Sequence, residues 1–337
     1  MPKAKPKPQS RRPCLAEKPY DISEGVTFSM LSDWCSCMES CRLSLMGWRR
    51  QGRSDALEYG TFWHNMLETL GQGIIAGTYK RPADALTIVD EEAARYKQRV
   101  VASGWTTPEE DARTGLTIAK AQALWPYYLE VFAKDFRKSL WLAVEGQFDV
   151  MFEGYRLRGM CDGVRREKRS VLWLFETKTR SQISDDQITD LLEFDPQCLM
   201  YVIANGIALK RKIEHVRYNV IRNPSQKLTT KGGTKTLAEY KAFVAVDCEK
   251  RPDHYFKRYE NTFAPGAIEK YKVELKNKLD AFAMWLRGEL PHFKNDGNNG
   301  ACIGRKFNCS YISACAHPEN MDLNYEQTGR LMVELEG

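Results

Sequence analysis

The run Val171-Leu172-Trp173-Leu174-Phe175 most narrows what this chain can fold into. Five consecutive apolar residues follow the charged stretch Arg165–Ser170, and they read as a strand buried on both faces. Glu176 and Lys178 come directly after it. Side chains alternate along a strand, so these two share a face. An isolated Glu-x-Lys is ordinarily just an ion pair, and its surroundings decide whether it is more.

Those surroundings are organised. Residues 140–150, 155–165 and 171–179 read as three strands with short turns, EG and EKRS. A helix is expected over 186–205, with Pro196 starting or kinking it. Alternation returns over 213–222 as a further strand. The centre is therefore β-β-β-α-β, an α/β arrangement. Helices are expected before it over 27–47, 55–76 (apolar face Phe62, Met66, Leu70), 84–102 and 112–139. Pro108-Glu109-Glu110-Asp111 looks like a helix start. After the centre come a Lys/Thr/Gly-rich loop at 224–236, a long helix at 265–288 and an irregular segment at 291–317.

Charge separates tail from body. The chain's formal charge is +6, and the proline-rich segment 1–19 carries +5 of it. The body is thus close to neutral and is not a generally basic surface. Residues 1–20 read as a disordered basic arm that could touch nucleic acid, or as a solubilising tail without a partner. The remainder, 21–337, reads as a single domain: a helical part over about 27–139, a core over about 140–223, and a C-terminal helix and cysteine segment over about 237–317. No apolar stretch approaches the roughly 20 residues of a membrane span. No secretory signal follows the basic start, so a cytoplasmic location is expected.

Asp162 falls near the end of the strand before Glu176 and Lys178. Neighbouring strands lie about 4.8 Å apart, so the three side chains can converge. Paired carboxylates repel and want a cation, and oxygen ligands of this kind suit magnesium or manganese. With a lysine alongside, such a site is equipped for phosphodiester hydrolysis.

The ordered set of motifs resembles the PD-(D/E)XK nucleases, specifically their RecB-like branch. Its five signals have counterparts in Gly60-x-x-x-His64, Glu145, Gly159-x-x-Asp162, Glu176-x-Lys178 and Gln197-x-x-x-Tyr201. The likeness runs over about residues 27–317. It implies a restriction-endonuclease-like core, a mixed sheet flanked by helices, with a helical region before it and a cysteine-rich segment after it. It implies His64, Asp162 and Glu176 as metal ligands, with the Thr177 carbonyl as a further one. Lys178 would orient or activate the attacking water. Gln197 and Tyr201 would hold Lys178 or the DNA strand, and Glu145 would stand behind the ligands. The implied activity is magnesium- or manganese-dependent deoxyribonuclease, an exonuclease on single-stranded DNA or free ends. Recombination, replication or repair is the implied setting, with proteins of those processes as partners; relatives occur in phages and in CRISPR adaptation. No Gly-x-x-x-x-Gly-Lys-Ser/Thr helicase motif accompanies it. A catalytically silent DNA-binding subunit and an RNA-directed nuclease are the rival readings.

Ten cysteines are many for a cytosolic chain, and six cluster as Cys35, Cys37, Cys41 and Cys302, Cys309, Cys315. Such clusters suggest a metal. Cys37 with Cys302, Cys309 and Cys315 resembles the ligand set of a subset of RecB-like nucleases, which implies a 4Fe–4S cluster stapling the two ends together. Relatives often have a shorter first gap than Cys302-x6-Cys309. Zinc on the same thiolates, with His317 replacing one, is one competing reading, and free buried thiols are the other. Cys14, Cys161, Cys198 and Cys248 stand alone and are expected to be inert. Trp34, Trp48 and Trp63 could stack bases, but core packing is the expectation for each.

Overall fold

The computed structural model of the chain describes residues 20–293, 302 and 309–327, apart from 53, 138–139, 168–169 and 231–232. The tail expected over residues 1–20, up to residue 19, and Cys14 with it, lie outside the described residues.

Helix α1 (Phe28–Ser36) starts where Thr27 accepts a hydrogen bond from the Met30 amide. Helix α2 (Met38–Leu45) follows. The single helix expected over 27–47 is broken at Cys37, whose backbone is extended at φ −164°, ψ 117°. Its N–H closes α1 on the Asp33 carbonyl, and its own carbonyl accepts the Cys41 amide to open α2. Ser and Cys rank low as helix formers, so this interruption costs little. Strand β1 (Trp48–Arg50) comes next.

Helix α3 (Asp55–Ala76) buries Phe62, Trp63, Met66, Leu70 and Ile74 and ends at Gly77 in the left-handed region, φ 83°. Helix α4 spans Ile88–Ala102. Helix α5 (Pro108–Val131) opens at Pro108 with Thr107 as its cap, and it begins and ends earlier than the expected 112–139.

Strands β2 (Trp141–Phe152), β3 (Tyr155–Arg166) and β4 (Leu172–Arg180) appear where expected. The helix expected over 186–205 is two helices, α6 (Asp185–Phe194) and α7 (Pro196–Leu209). Asp195 accepts the Gln197 and Cys198 amides, so Pro196 occupies the first turn of a new helix. Strand β5 (His215–Arg222) follows. The loop at 224–236 holds a small hairpin, β6 (Thr229–Thr230) with β7 (Gly233–Thr234). Beyond it lie α8 (Leu237–Lys250), α9 (Pro252–Tyr255), β8 (Phe256–Thr262), α10 (Ala267–Leu286), α11 (Ile312–Ala316), α12 (Met321–Asn324) and β9 (Tyr325–Gln327).

The five-stranded sheet runs β2-β3-β4-β5-β8. β3–β4 and β5–β8 are antiparallel and β4–β5 is parallel, so the sheet is mixed. The central position of β4 explains its apolar run: both edges are paired and both faces are covered. β8 escaped sequence reading because FKRYENT is polar, as suits a half-exposed edge strand.

The chain divides into two compact units. The first gathers residues of 1–52, 148–159 and 269–337, and the second those of 53–147 and 160–268. In the second, Trp63 and Trp125 are fully buried among α3, α4, α5 and α8. Burying an aromatic side chain of this kind contributes roughly 1.5–3 kcal/mol. In the first, Trp34 packs edge-on to Phe282, and Leu43, Tyr311, Ala314 and Tyr325 form a cluster bordered by Trp48 and Cys309. The register of β1 and β9 pairs Trp48 with Gln327. No described helix is long and apolar enough to cross a membrane.

Candidate active site

Every candidate nuclease residue lies in the second unit. His64 sits on α3 one turn after Gly60. A Cβ on Gly60 would stand 3.2 Å from the Thr179 hydroxyl, so the bare glycine lets α3 approach β4 closely. That approach brings the His64 ring to the sheet. Gly159 plays a similar part three residues before Asp162, since a Cβ there would meet the Phe148 ring at 2.6 Å.

Glu145 occupies β2 with φ +45°, a left-handed conformation rare for a non-glycine residue in a strand. Holding it there costs on the order of 1 kcal/mol, and such outliers concentrate at functional sites. Its carboxylate lies 3.9 Å from His64 Nδ1, and Asp162 Oδ1 lies 3.3 Å from the same nitrogen. The other Asp162 oxygen accepts the Thr177 amide at 2.5 Å. His64, Glu145 and Asp162 each offer a donor atom within 4.8 Å of the others. Among the described residues this is the one group of three or more His, Cys, Asp or Glu that is so arranged.

Glu176 is 2% exposed. Lys178 donates to its Oε1, while its Oε2 is buried without a hydrogen-bond partner. The sequence set Glu176 among the ligands and Glu145 behind them. In the structure Glu145 joins His64 and Asp162, and Glu176 is engaged by Lys178. Thr177 is buried with its hydroxyl unpartnered. On α7, Gln197 Nε2 donates to the Tyr201 hydroxyl at 3.2 Å. Lys178 is engaged by Glu176 rather than by this pair.

The electrostatics are those of excess negative charge. Burial, with the nearby Asp162, raises Glu176 to about 7. Burial opposes charge on His64, yet Asp162 and Glu145 outweigh it and raise the imidazole to about 10. Burial likewise opposes charge on Lys178, and Glu176 and Asp162 overcome it and hold the ammonium protonated. Asp162 stays below the usual carboxylate range against its own burial, through His64 and Lys178. Glu145 is pushed up, mainly by burial. The His64 imidazole, the Glu145 and Asp162 carboxylates and the orphaned Glu176 oxygen are the kind of donor set a hard divalent cation takes. They fit such an ion. A small cavity of about 30 Å³ is lined by His64, Glu145, Asp162 and Thr177 and walled by Leu70, Ile74, Leu129, Phe132 and Trp141.

The four candidate cluster cysteines lie in the first unit. The Cys309 amide donates to the Cys302 carbonyl at 2.9 Å, and the Tyr311 amide to the Cys309 sulfur at 3.4 Å. The Arg42 guanidinium of α2 is raised chiefly by its hydrogen-bonded partner Glu39, and Cys315, on α11, lies near enough to add to this. Cys37 caps the start of that same helix. The described cysteines are all unbridged; Cys41, Cys161, Cys198 and Cys248 are buried, and the four candidates are partly exposed. Trp34 and Trp63 are core residues, and Trp48 borders a smaller cluster.

The chain belongs to the PD-(D/E)XK nuclease superfamily, whose sequence model matches residues 26–316. The α/β architecture, with its five-stranded mixed sheet flanked by helices, is the restriction-endonuclease-like fold of that superfamily. Its members are nucleases that use divalent metals, and the His64–Glu145–Asp162 group could bind one. No curated protein matches the chain.

Proposed function

We propose that the protein is a RecB-like deoxyribonuclease dependent on magnesium or manganese, working on single-stranded DNA or free DNA ends as an exonuclease. The observation that carries this reading is the convergence of His64, Glu145 and Asp162 beside the buried Glu176–Lys178 pair. His64, Asp162 and Glu176 hold the metal with the Thr177 carbonyl, and Glu145 completes the group. The bound cation supplies a water of lowered pKa and neutralises charge on the phosphate. The chain's residues do the rest. Thr177 fixes Asp162 through its amide. Glu176 holds the Lys178 ammonium at the site, where it orients the attacking water and steadies the developing charge. Gln197 and Tyr201, bonded to each other, line the approach of the DNA strand.

Residues 21–337 act as one nuclease, and Cys37, Cys302, Cys309 and Cys315 hold a 4Fe–4S cluster. The packing of Tyr311 and Ala314 against Leu43 supports this, because it sets the C-terminal cysteines against the helix that Cys37 starts. Zinc on these thiolates is the alternative. Protein purified without oxygen should be brown, with absorption near roughly 400 nm that Cys309→Ala removes; colourless protein holding stoichiometric zinc refutes the cluster. We place the activity in the cytoplasm, in recombination, replication or repair, including that of phages.

The test of the nuclease is cleavage of end-labelled DNA, linear and circular, single- and double-stranded, with manganese or magnesium. Cleavage lost in Lys178→Ala and preference for linear DNA support the reading. A folded, metal-loaded wild type that binds DNA without cutting it favours the silent binding subunit.

A further inference from the structure

Two residues beyond Lys178, β4 ends in Arg180. The two-residue spacing puts Arg180 on the face that carries Glu176 and Lys178. Its Nη2 donates to the Tyr218 hydroxyl at 3.0 Å, and Tyr218 is 1% exposed. Its Nε is buried with no partner. A buried donor left unpaired is costly unless something else fills the place. Among the described residues, no carboxylate pairs with Arg180. The parallel register sets Arg222 of β5 directly beside it. Arg222 donates from Nε to the His254 carbonyl and from Nη1 to the Ser181 carbonyl, both uncharged acceptors, so it brings a second positive charge to the place. Like charges facing each other on neighbouring strands repel. Both stand at the carboxyl ends of the parallel strands β4 and β5, where open α/β sheets take ligands.

A held guanidinium with a free donor, beside a second cation, is a receptor for a phosphate. We infer that Arg180 binds a phosphate of the substrate next to the scissile one, with Arg222 adding to the field and Tyr218 fixing the fork. This rests on the nuclease reading above and assigns a strand-positioning residue to it. Two residues of strand advance about 6.6 Å, a span comparable to one nucleotide step along a polynucleotide. Lys178 and Arg180 are thus spaced to address successive phosphates.

The test walks a single neutral methylphosphonate along a single-stranded oligonucleotide and measures binding with calcium in place of magnesium, so that turnover is not needed. In the wild type, one position adjoining the scissile phosphate should lose about tenfold in affinity. In Arg180→Gln the loss at that position should shrink to within about twofold, and the slope of log affinity against log salt should fall by about 0.7. Arg180→Lys should fall between, because it keeps the charge and loses the fork, and Tyr218→Phe should give a smaller loss at the same position. Equal losses in wild type and Arg180→Gln at every position, with unchanged salt slopes, overturn the inference. If the wild type shows the position-specific loss yet never cleaves with magnesium or manganese, the nuclease reading fails and the phosphate subsite stands.

Discussion

Asp135 and Glu176 are both shut away from solvent, at 7% and 2% exposure, yet they titrate in opposite directions. Asp135 accepts from Arg165 at 2.6 Å and from Arg258 at 2.5 Å. Against its burial, those guanidiniums hold it below the usual carboxylate range. Arg165 lies over Trp141 and Arg258 over Phe132, so the cations are themselves packed. Here each buried anion is matched by cations that the chain supplies. At Glu176 the chain brings Asp162 close and answers with Lys178 and His64. One oxygen stays unpaired and one carboxyl rises to about 7. A finished network stabilises the fold. An unfinished one keeps room for an ion at the expense of stability.

The sharpest way to break this comparison is to remove a charge from each cluster. Glu176→Gln should lower cleavage by at least about a thousandfold, comparable to deleting a principal electrostatic contact, while thermal unfolding of the metal-free protein stays level or moves up, because burial already disfavours the ionised carboxyl there. Asp135→Asn should do the reverse. It should cost about 3–5 kcal/mol in denaturant unfolding, because the buried Arg165 is left with only its longer contact to Glu167 at 3.6 Å, with metal affinity little changed in the surviving fold. Asp135 also sets an acid limb. Its folded pKa is depressed, so its contribution is complete above the unfolded value near 3.8 and is lost as pH falls through the lower folded value. That limb should flatten in the Asn variant.

Proton and metal compete at the second cluster. Glu176 must lose the proton it holds up to about pH 7, and His64 the one it holds up to about 10. Magnesium or manganese binding near neutrality should therefore release protons, seen as a buffer-dependent heat in calorimetry, and affinity should weaken as pH drops below 7. In metal-free protein the raised Glu176 pKa has the opposite sign to Asp135. Its favourable contribution is present below about 4.5 and fades as pH rises through about 7, and added metal should restore it. The smallest effect is expected at Gly60→Ala. Alanine favours the helix by up to about 1 kcal/mol, but its methyl meets the Thr179 hydroxyl at 3.2 Å. Stability should hold or rise slightly while cleavage falls several-fold, as His64 is levered from its partners.

The strands that carry Asp162, Glu176 and Lys178 were legible because their periodicity is local and their apolar runs are long. The break at Cys37 and the new helix at Pro196 were less so, since each depends on one residue closing one helix and opening the next. β8 was invisible: an edge strand shows its register only through its partner. The closeness of Glu145 to His64 was hidden for another reason. A left-handed residue inside a strand follows from the packing around it, and glutamate gives no local sign of it. The Asp135 network joins residues 30 and 123 positions apart, which no local pattern announces.

The central place of β4 also governs when the protein becomes dangerous. Lys178 and Glu176 ride on a strand that needs β3 on one side and β5 on the other. The parallel partner arrives only after α6 and α7 have been made, and closing so distant a pairing is slow compared with forming helices. A ribosome that has delivered every acidic residue of the site, up to residue 176, has still not delivered the strand that seats them. The half-made chain is in this sense sheathed: its blade is complete in sequence well before it has an edge.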